Sequence, residues 1–381
     1  MSAGENRLNT EPYLAGKLIF RHAEERDDPA LQRLLSDNPM QGWVRLSLRR
    51  MPSYFASEAL IGKSRTVIAL DSERENEVVG MYRTTFMPFY YNGSLIKGGY
   101  LGELRVNKAY RNRLRIVQQG FDSIHPLNLP ESASTTIWFT SIASDNFKAR
   151  RLLEAKNSRL PDYTPVGELL TLAISVRRGK RGSMLQTARQ ADIPAICQLY
   201  NRQASHYQFA SHLDPEWLRG LTGSKGLSLE DFRVYRDDDG GIQACVAIWD
   251  QRAIRQVVVE GYRPPLNRLR PLINLFAALS GKPKLPPENS RLEHIYLAFF
   301  AFTESAEQHA LALLQEALHI AKGKQADSAL LGISASNPLL PILRTRLHPV
   351  VYTTCIETVS WSDIKQPDIQ ISMVQPEIAL L

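Results

Sequence analysis

The feature that most constrains this chain is a stretch in its first half that passes from strand to helix periodicity through an arginine-rich turn. Residues Tyr100–Val106 alternate with the period of two that is typical of a β-strand. From Leu114 onward, apolar residues recur at the spacing of one helix face. The connection carries Arg111 and Arg113, and Arg115 follows inside the helix. Because the free N–H groups of a helix N-terminus favour phosphate, this arrangement predicts a pyrophosphate-binding turn, the alternative being ordinary solvated surface charge.

The same stretch resembles the acyl-CoA motif of the GCN5-related N-acetyltransferase (GNAT) superfamily, V-x-P-x-Y-R-x-x-G-x-G/A. Val106, Tyr110 and Arg111 match the motif, whereas Leu114 and Ile116 stand at its small-residue positions. We expect these two side chains to narrow the path of the pyrophosphate, since glycine allows a ligand close to the backbone. The resemblance implies that acetyl-CoA or another acyl-CoA is bound by Leu104, Arg105, Val106, Arg111, Asn112, Arg113, Leu114, Arg115 and Ile116, together with Asn146 of a second motif.

That second motif resembles the family pattern N-x-x-A-x-x-L-Y-x-K-x-G-F. Asn146 and Ala149 match it, and Leu153 replaces the tyrosine whose hydroxyl often protonates the departing thiolate in the family. Leu153 has no proton to give, so the general acid is unassigned. Asn146 is either a helix cap alone or a cap that also contacts the pantetheine arm of CoA.

The resemblance also implies a reaction in which an amine attacks the thioester directly while a base accepts its proton. Glu103 is the candidate base, because it lies three residues before Val106, where family members often carry a carboxylate. The alternative is that Glu103 is a cross-strand partner of an arginine or a surface charge. Tyr110 and Tyr163 are candidates for the acid, although Tyr110 is also expected to pack against the helix.

An internal repeat organises the rest of the chain. Asp27 and Pro29 recur as Asp192 and Pro194, each pair between a strand and the first turn of a helix, and the same order of elements follows both. The predicted fold class is therefore α/β (α+β), with two tandem GNAT-like domains, each a mixed, mostly antiparallel sheet flanked by helices. The predicted units are a tail at 1–16, a first domain at 17–176, a basic linker at 177–183 and a second domain at 184–381.

The second repeat lacks the basic turn. Its corresponding turn carries Glu304 and Glu307 and neither glycine nor arginine, and carboxylates at a helix N-terminus repel phosphate. We therefore expect acyl-CoA to bind to the first repeat only, and the second repeat to be structural or to shape the acceptor site.

Charge follows the same division. Residues 1–183 have a net charge of +8 and the remainder −1, as an anionic cofactor in the first half would favour. Nucleic-acid binding is the competing interpretation of the high pI of about 9.2 and of the basic run at Arg177–Arg181. No helix–turn–helix, zinc or aromatic RNA-binding pattern accompanies that run, which coincides with the predicted linker.

The remaining sequence features exclude several classes of protein. Cys197, Cys245 and Cys355 are far apart, which argues against a metal site and a disulfide framework and favours a reducing, cytoplasmic setting. No apolar run is long enough to span a membrane, so we expect no membrane partner. The expected partner is a small-molecule or peptide amine, with a homodimer as one oligomeric alternative. A catalytically silent GNAT-like module that binds a ligand or partner is the competing function.

Overall fold

The computed structural model describes residues 11–40, 42–57, 60, 62–110, 114–128, 137–154, 160–223, 225–280, 284–361 and 367–381. The strands in this part of the chain are β1 (Tyr13–Ala15), β2 (Leu18–His22), β3 (Val44–Arg50), β4 (Lys63–Asp71), β5 (Glu77–Tyr91), β6 (Ser94–Val106), β7 (Trp138–Ala143), β8 (Asp162–Ser175), β9 (Leu185–Thr187), β10 (Phe232–Arg236), β11 (Ile242–Trp249), β12 (Arg255–Tyr262), β13 (His294–Phe302), β14 (Ser328–Ser334) and β15 (Val350–Ser360). The α-helices are α1 (Asp28–Asp37), α2 (Leu114–Asp122), α3 (Ile124–Asn128), α4 (Phe147–Leu153), α5 (Ile193–Ala204), α6 (Pro215–Arg219), α7 (Leu266–Ser280), α8 (Ala310–Gly323) and α9 (Leu340–Leu347).

The predicted class is confirmed: the strands form a mixed, mostly antiparallel sheet flanked by helices. Thirteen strands form one continuous sheet in the order β1-β2-β4-β5-β6-β7-β15-β8-β14-β13-β11-β10-β9. Two neighbouring pairs are parallel, β6 with β7 in the first half and β13 with β14 in the second. The repeat is therefore visible as two equivalent parallel pairs at equivalent places in the sheet.

The halves are joined by an exchange of their last strands. The final strand of the second half, β15, pairs antiparallel with β7 of the first half. The final strand of the first half, β8, pairs antiparallel with β14 of the second half and with β15. The boundary between the repeats at residues 177–183 stays a prediction. The sheet is nevertheless continuous between the halves, because β8, which precedes this stretch, pairs with β14 and β15, which follow it.

Packing also crosses between the halves. The largest apolar cluster includes Phe89 and Phe139 from the first half and Phe209, Trp249 and Phe299 from the second. The rings of Phe139 and Phe209 are stacked with their centroids 4.5 Å apart. Leu169 of β8 and Ile356 of β15 belong to this cluster as well, so the exchanged strands contribute to a part of the core that the two halves share. Other apolar clusters belong mainly to one half.

The two repeats begin with the same local geometry. The carboxylate of Asp27 accepts a hydrogen bond from the N–H of Glu24 at 2.8 Å, and Asp192 accepts one from the N–H of Arg189 at 2.8 Å. Each aspartate also pairs with an arginine of its own half, at 2.7 Å in both cases. The sequence repeat thus encodes a repeated strand–cap–helix unit.

A two-stranded ribbon lies outside the main sheet. It pairs β3 of the first half antiparallel with β12 of the second over Val44–Arg50 and Arg255–Tyr262. The pairing of β12 with β3 joins segments about 200 residues apart in the sequence, so no local pattern predicts it. This ribbon forms one wall of the cavity described next.

Candidate functional site

The parallel pair of the first half opens into a cleft. Strands β6 and β7 pair only where Gly99–Leu101 meets Trp138–Thr140, and beyond Leu101 the two strands diverge. At the start of the divergence the ladder between β5 and β6 is interrupted by a bulge, and Glu103 takes the left-handed conformation with φ of +54°. A bulge redirects backbone and side chains locally and is common beside active sites. We call the gap between β6 and β7 the first cleft.

The first cleft leads into a cavity of about 390 Å³ that draws its walls from both halves. One part of its lining is apolar and belongs to the cluster between the helices and the sheet; this part, which we call the apolar lobe, includes Val117, Phe121, Ile124, Ile142 and Leu153. The rest of the lining is more polar and comes from the ribbon, the sheet and the C-terminal segment (residues 367–381), with Tyr100, Ser141, Arg255, Tyr296, Tyr352, Leu380 and Leu381 among its residues. The lining of the cavity therefore combines elements that are far apart in the sequence.

Glu103 lines this cavity, as its predicted role requires, and it is held on both oxygens. Its Oε1 pairs with the guanidinium of Arg50 and lies 3.7 Å from Arg83 Nη1. Its Oε2 accepts a hydrogen bond from the hydroxyl of Tyr54 at 2.6 Å. The guanidinium of Arg50 also lies over the ring of Tyr54, 4.9 Å from its centroid. The cross-strand arginine that sequence reasoning offered as the alternative is thus present as Arg83, although Arg50 is the closer partner.

The cavity is positively charged overall. Three arginines line it, Arg83 and Arg105 from the first half and Arg255 from the second, against Glu103 as the one acidic side chain among its described lining residues. The Nε atom of Arg255 is buried and makes no hydrogen bond within the described part of the chain. Burial raises the pKa of Tyr100, and the three nearby guanidinium groups oppose that shift. This lining favours an anionic group on whatever enters.

The predicted cofactor residues fall into three groups. Leu104 and Arg105 line the cavity, and Val106, the last residue of β6, packs against the apolar cluster under α2. Arg111, Asn112 and Arg113, the centre of the predicted pyrophosphate turn, lie outside the described residues. Leu114, Arg115 and Ile116 form the first turn of α2, with Arg115 exposed.

The expectation that Ile116 narrows the phosphate path is wrong. Its side chain is only 4% exposed and is buried in the apolar cluster between α2 and the sheet. Leu114 is half-buried and packs against the same cluster. These side chains follow the amphipathic face of α2 into the core, because a helical residue at that spacing faces the sheet and not the ligand.

Asn146 is a helix cap that also lines the cavity. Its side-chain oxygen accepts a hydrogen bond from the N–H of Ala149 at 3.4 Å at the start of α4. Ala149 and Leu153, on the same helix, line the cavity as well. The capping role is therefore confirmed, and the position of Asn146 leaves the predicted contact with a ligand available.

The two candidate acids have different surroundings. The hydroxyl of Tyr110 donates a hydrogen bond to Asp71, and the side chain is buried in the core away from the cavity lining. Tyr163 lines the apolar lobe, and burial raises the pKa of its hydroxyl. Tyr110 therefore packs as the sequence suggested, and burial makes the Tyr163 hydroxyl a poor proton donor.

The second half contains an equivalent cleft, between β13 and β14, which we call the second cleft. These strands pair only where His294–Tyr296 meets Ser328–Leu330, and a bulge follows in which Phe299 has φ of +53°. The C-terminal segment bridges this cleft. The N–H of Phe299 donates to Glu377 Oε2 at 2.8 Å, and the N–H of Ser334 donates to Gln375 Oε1 at 3.1 Å.

This bridging leaves little room in the second cleft, where a cavity of only about 30 Å³ remains. Burial raises the pKa of Glu377, which also accepts from the N–H of Ala379 at 3.2 Å. The same segment then continues to the first cavity, which Ile378, Leu380 and Leu381 help to line. One segment thus fills the second cleft and completes the first cavity.

Sequence reasoning missed the residues that reach the site from distant elements. Arg50, Tyr54 and Arg255 come from the ribbon and the helical turn after it, and the C-terminal segment arrives from the far end of the chain. The only local signal was the arginine content of β3 and β12.

No group of three or more His, Cys, Asp or Glu in the described residues is placed to hold a metal ion. None of the described helices has the length and apolar character needed to cross a membrane.

No protein-family model and no curated protein matches the sequence. Among solved structures, N-myristoyltransferase from Saccharomyces cerevisiae with bound myristoyl-CoA is similar, with a TM-score of 0.60 and 10% identity over 96% of this chain and 90% of that one. A GCN5-related N-acetyltransferase from Sphaerobacter thermophilus is similar with a TM-score of 0.54 and 16% identity over 94% of this chain and 99% of that one. At such low identities the likeness concerns the fold. The fold of this chain is thus similar to the folds of these two proteins, in agreement with the fold that its sequence predicted.

Proposed function

We propose that this protein is an acyl-CoA-dependent N-acyltransferase whose reaction takes place beside the bulge of β6. The observation that carries the proposal is the pair of equivalent bulges. In the second half, the N–H of Phe299 binds a carboxylate oxygen of the chain itself at 2.8 Å. In the first half the bulge at Glu103 has nearly the same φ and faces a cavity instead. An N–H donor at that place suits a thioester oxygen that gains negative charge during attack.

The proposed reaction uses no covalent intermediate. Glu103 accepts a proton from the ammonium of the acceptor, and the amine nitrogen then attacks the thioester carbon. The C–N bond forms, the C–S bond breaks, and the second proton of the nitrogen is transferred through solvent to the departing CoA thiolate. Glu103 suits the first step because it is the one acidic side chain among the described lining residues and would attract a cation into an arginine-lined space.

The two parts of the cavity lining suit the two substrates. The apolar lobe would take the carbon chain of the donor, and each buried methylene contributes about 0.8 kcal/mol. Acetyl is the group that the sequence suggested, and a longer acyl chain would gain further from this lobe. On the polar side, Arg83, Arg105 and Arg255 favour an amine that also carries a carboxylate or phosphate.

One observation favours the competing function of a silent binding module. Both oxygens of Glu103 already have partners, Arg50 and Tyr54 among them. A carboxylate held in an ion pair is a weaker base, because the arginine stabilises its charged form. If the ion pair is purely structural, the cavity would bind a ligand without turning it over.

A CoA-release assay separates these functions. The protein is mixed with acetyl-, octanoyl- or myristoyl-CoA and with amines that carry or lack a carboxylate, and free thiol is followed. We expect release that depends on the amine and falls about 100-fold or more in Glu103→Gln, the usual contribution of a general base. Tyr54→Phe is the matched control, since it removes one hydrogen bond to Glu103 and keeps the carboxylate. Binding of acyl-CoA without release in any pairing would favour the silent module, and absence of acyl-CoA binding would contradict the proposed acyltransferase.

A further inference from the structure

Helix α7 presents an apolar face to solvent. Its exposed apolar side chains are Leu269, Leu272, Leu275, Phe276 and Leu279, and the exposed fraction rises to 67% at Phe276 and 79% at Leu279. At 100° per residue these five positions fall within an arc of roughly 120°. Isolated exposed leucines are ordinary, but five on one helix face form a continuous apolar stripe.

The opposite face fixes this helix to the protein. Ala277 is buried, and Ile273 and Asn274 are half-buried on that side. The side-chain amide of Asn274 donates to the carbonyl of Leu285 at 2.8 Å, and its oxygen accepts from the N–H of Leu285 at 2.7 Å. Arg270 donates to the carbonyl of Pro286 at 2.9 Å. Because the packed face is anchored in this way, the apolar face points outward as a fixed feature.

The surroundings of the stripe are positively charged. The described residues between Glu260 and Glu288 include four basic side chains, Arg263, Arg268, Arg270 and Lys284, and no acidic one. Arg263 and Arg268 are exposed at the start of the helix. Trp43 is 64% exposed at the same end, where its carbonyl accepts a hydrogen bond from the N–H of Arg263 at 2.9 Å. An apolar helix face with flanking cations and an aromatic side chain is the pattern of a helix that lies in the interface of an anionic bilayer.

We propose that α7 binds peripherally to anionic lipid membranes, with its leucine and phenylalanine side chains inserted at the headgroup level. With 15 residues the helix is too short to span a bilayer, and its polar face is needed for packing. The prediction of no membrane partner rested on the lack of a spanning segment, which surface binding does not require.

The charges argue against a second copy of this chain as the occupant. A two-fold symmetric contact places the same patch on both subunits, so the cations around α7 would face their own copies. Anionic headgroups neutralise the same cations, each contributing to attraction near the surface. The lipid surface therefore satisfies both the apolar stripe and the charge around it.

Vesicle sedimentation tests the proposal on the full chain. We expect binding to vesicles of equal parts phosphatidylcholine and phosphatidylglycerol, at least tenfold weaker binding to pure phosphatidylcholine, and weaker binding at high salt. The triple variant Leu272→Ser, Leu275→Ser, Phe276→Ser should reduce binding to anionic vesicles about tenfold or more. A matched triple variant at exposed apolar positions elsewhere, Leu14→Ser, Leu95→Ser, Ile342→Ser, should bind like the unsubstituted protein.

Circular dichroism and thermal melts of both variants check that the fold is retained, as expected for exposed positions. Light scattering in the absence of lipid measures the oligomeric state, and so tests the alternative that a second copy of the chain covers α7. A dimer that the α7 variant converts to monomer would overturn the proposal in favour of a second copy. Equal loss of vesicle binding in both triple variants, or no binding by the unsubstituted protein, would also overturn it.

Discussion

The two clefts share a backbone and differ in what fills them. Each follows a short parallel pair and a bulge with a residue at φ near +54°, Glu103 in the first cleft and Phe299 in the second. The first opens into about 390 Å³, whereas the second retains about 30 Å³ around Gln375 and Glu377 of the C-terminal segment. The backbone geometry is shared, and the group that faces the N–H at the bulge distinguishes an open cleft from a structural contact.

The difference also explains why the halves are not interchangeable. The segment that fills the second cleft supplies Ile378, Leu380 and Leu381 to the wall of the first cavity. Strand β15 and the ribbon likewise bring second-half residues to the first cleft. The segment that closes the second cleft is thus the same segment that completes the wall of the first cavity.

The largest loss of stability is expected from substitution of Arg50, whose guanidinium pairs with Glu103 at the bulge of β6. Arg50 is 3% exposed and pairs with Glu103, so Arg50→Met leaves a carboxylate in a buried setting without its nearest cation. We expect a loss of about 3 to 5 kcal/mol in the free energy of unfolding by urea. Arg49→Met, at an exposed ion pair on the same strand, should change that free energy by less than about 1 kcal/mol. Similar losses in both variants would mean that the first bulge does not depend on this pair.

The exchanged strand β15 carries a second buried carboxyl, that of Glu357, into the first half. Burial, together with the neighbouring Glu154 carboxylate, raises the pKa of Glu357 from 4.5 to about 7. The folded state therefore holds this proton more tightly than the unfolded state, so its contribution to stability is present below pH 4.5 and is lost as the pH rises through 7. Glu357→Gln should remove this loss and be more stable than the unsubstituted protein above pH 7 by up to about 3 kcal/mol.

Urea unfolding at a series of pH values measures this effect. Glu168→Gln, at an exposed carboxyl on the adjacent strand β8, is the control and should leave the pH dependence unchanged. An identical pH dependence of the free energy of unfolding in Glu357→Gln and the unsubstituted protein would show that ionisation of Glu357 does not destabilise the fold.

A smaller effect is expected at the filled second cleft. Glu377→Ala leaves the buried N–H of Phe299 without its acceptor, at a cost of about 1 to 3 kcal/mol. Glu377→Gln keeps an oxygen for that N–H and should cost less. Equal stability of the two variants, measured by thermal and urea unfolding, would contradict the view that the second bulge needs an internal acceptor.

Much of the fold could be predicted because its signals are local. Asn92-Gly93 is a typical hairpin sequence, and this turn between β5 and β6 has positive φ at both residues. The capping role of Asn146 followed from its side-chain chemistry and its place before a helix. The strand exchange was not predictable in this way, because β15 and β8 pair with strands far away along the chain.

The site was predictable only where it is built from one stretch of sequence. Glu103, Leu104 and Arg105 were found because they precede the motif on the same strand, and all three line the cavity. Ile116 was misjudged because its place in the family motif outweighed its place on the apolar face of α2. Arg255 and Glu377 lie in the second repeat, and only tertiary structure brings them to a cleft.

Isothermal calorimetry with CoA and acetyl-CoA tests whether the acyl donor binds in the first cleft and not in the second. Ala149→Trp places a large side chain in the wall of the first cavity, and Asn337→Ala removes a polar side chain from the lining of the second. Circular dichroism of both variants checks that they are folded. We expect one site per chain in the unsubstituted protein and in Asn337→Ala, and no binding in Ala149→Trp. Two sites per chain, or binding that survives Ala149→Trp and is lost in Asn337→Ala, would contradict the assignment.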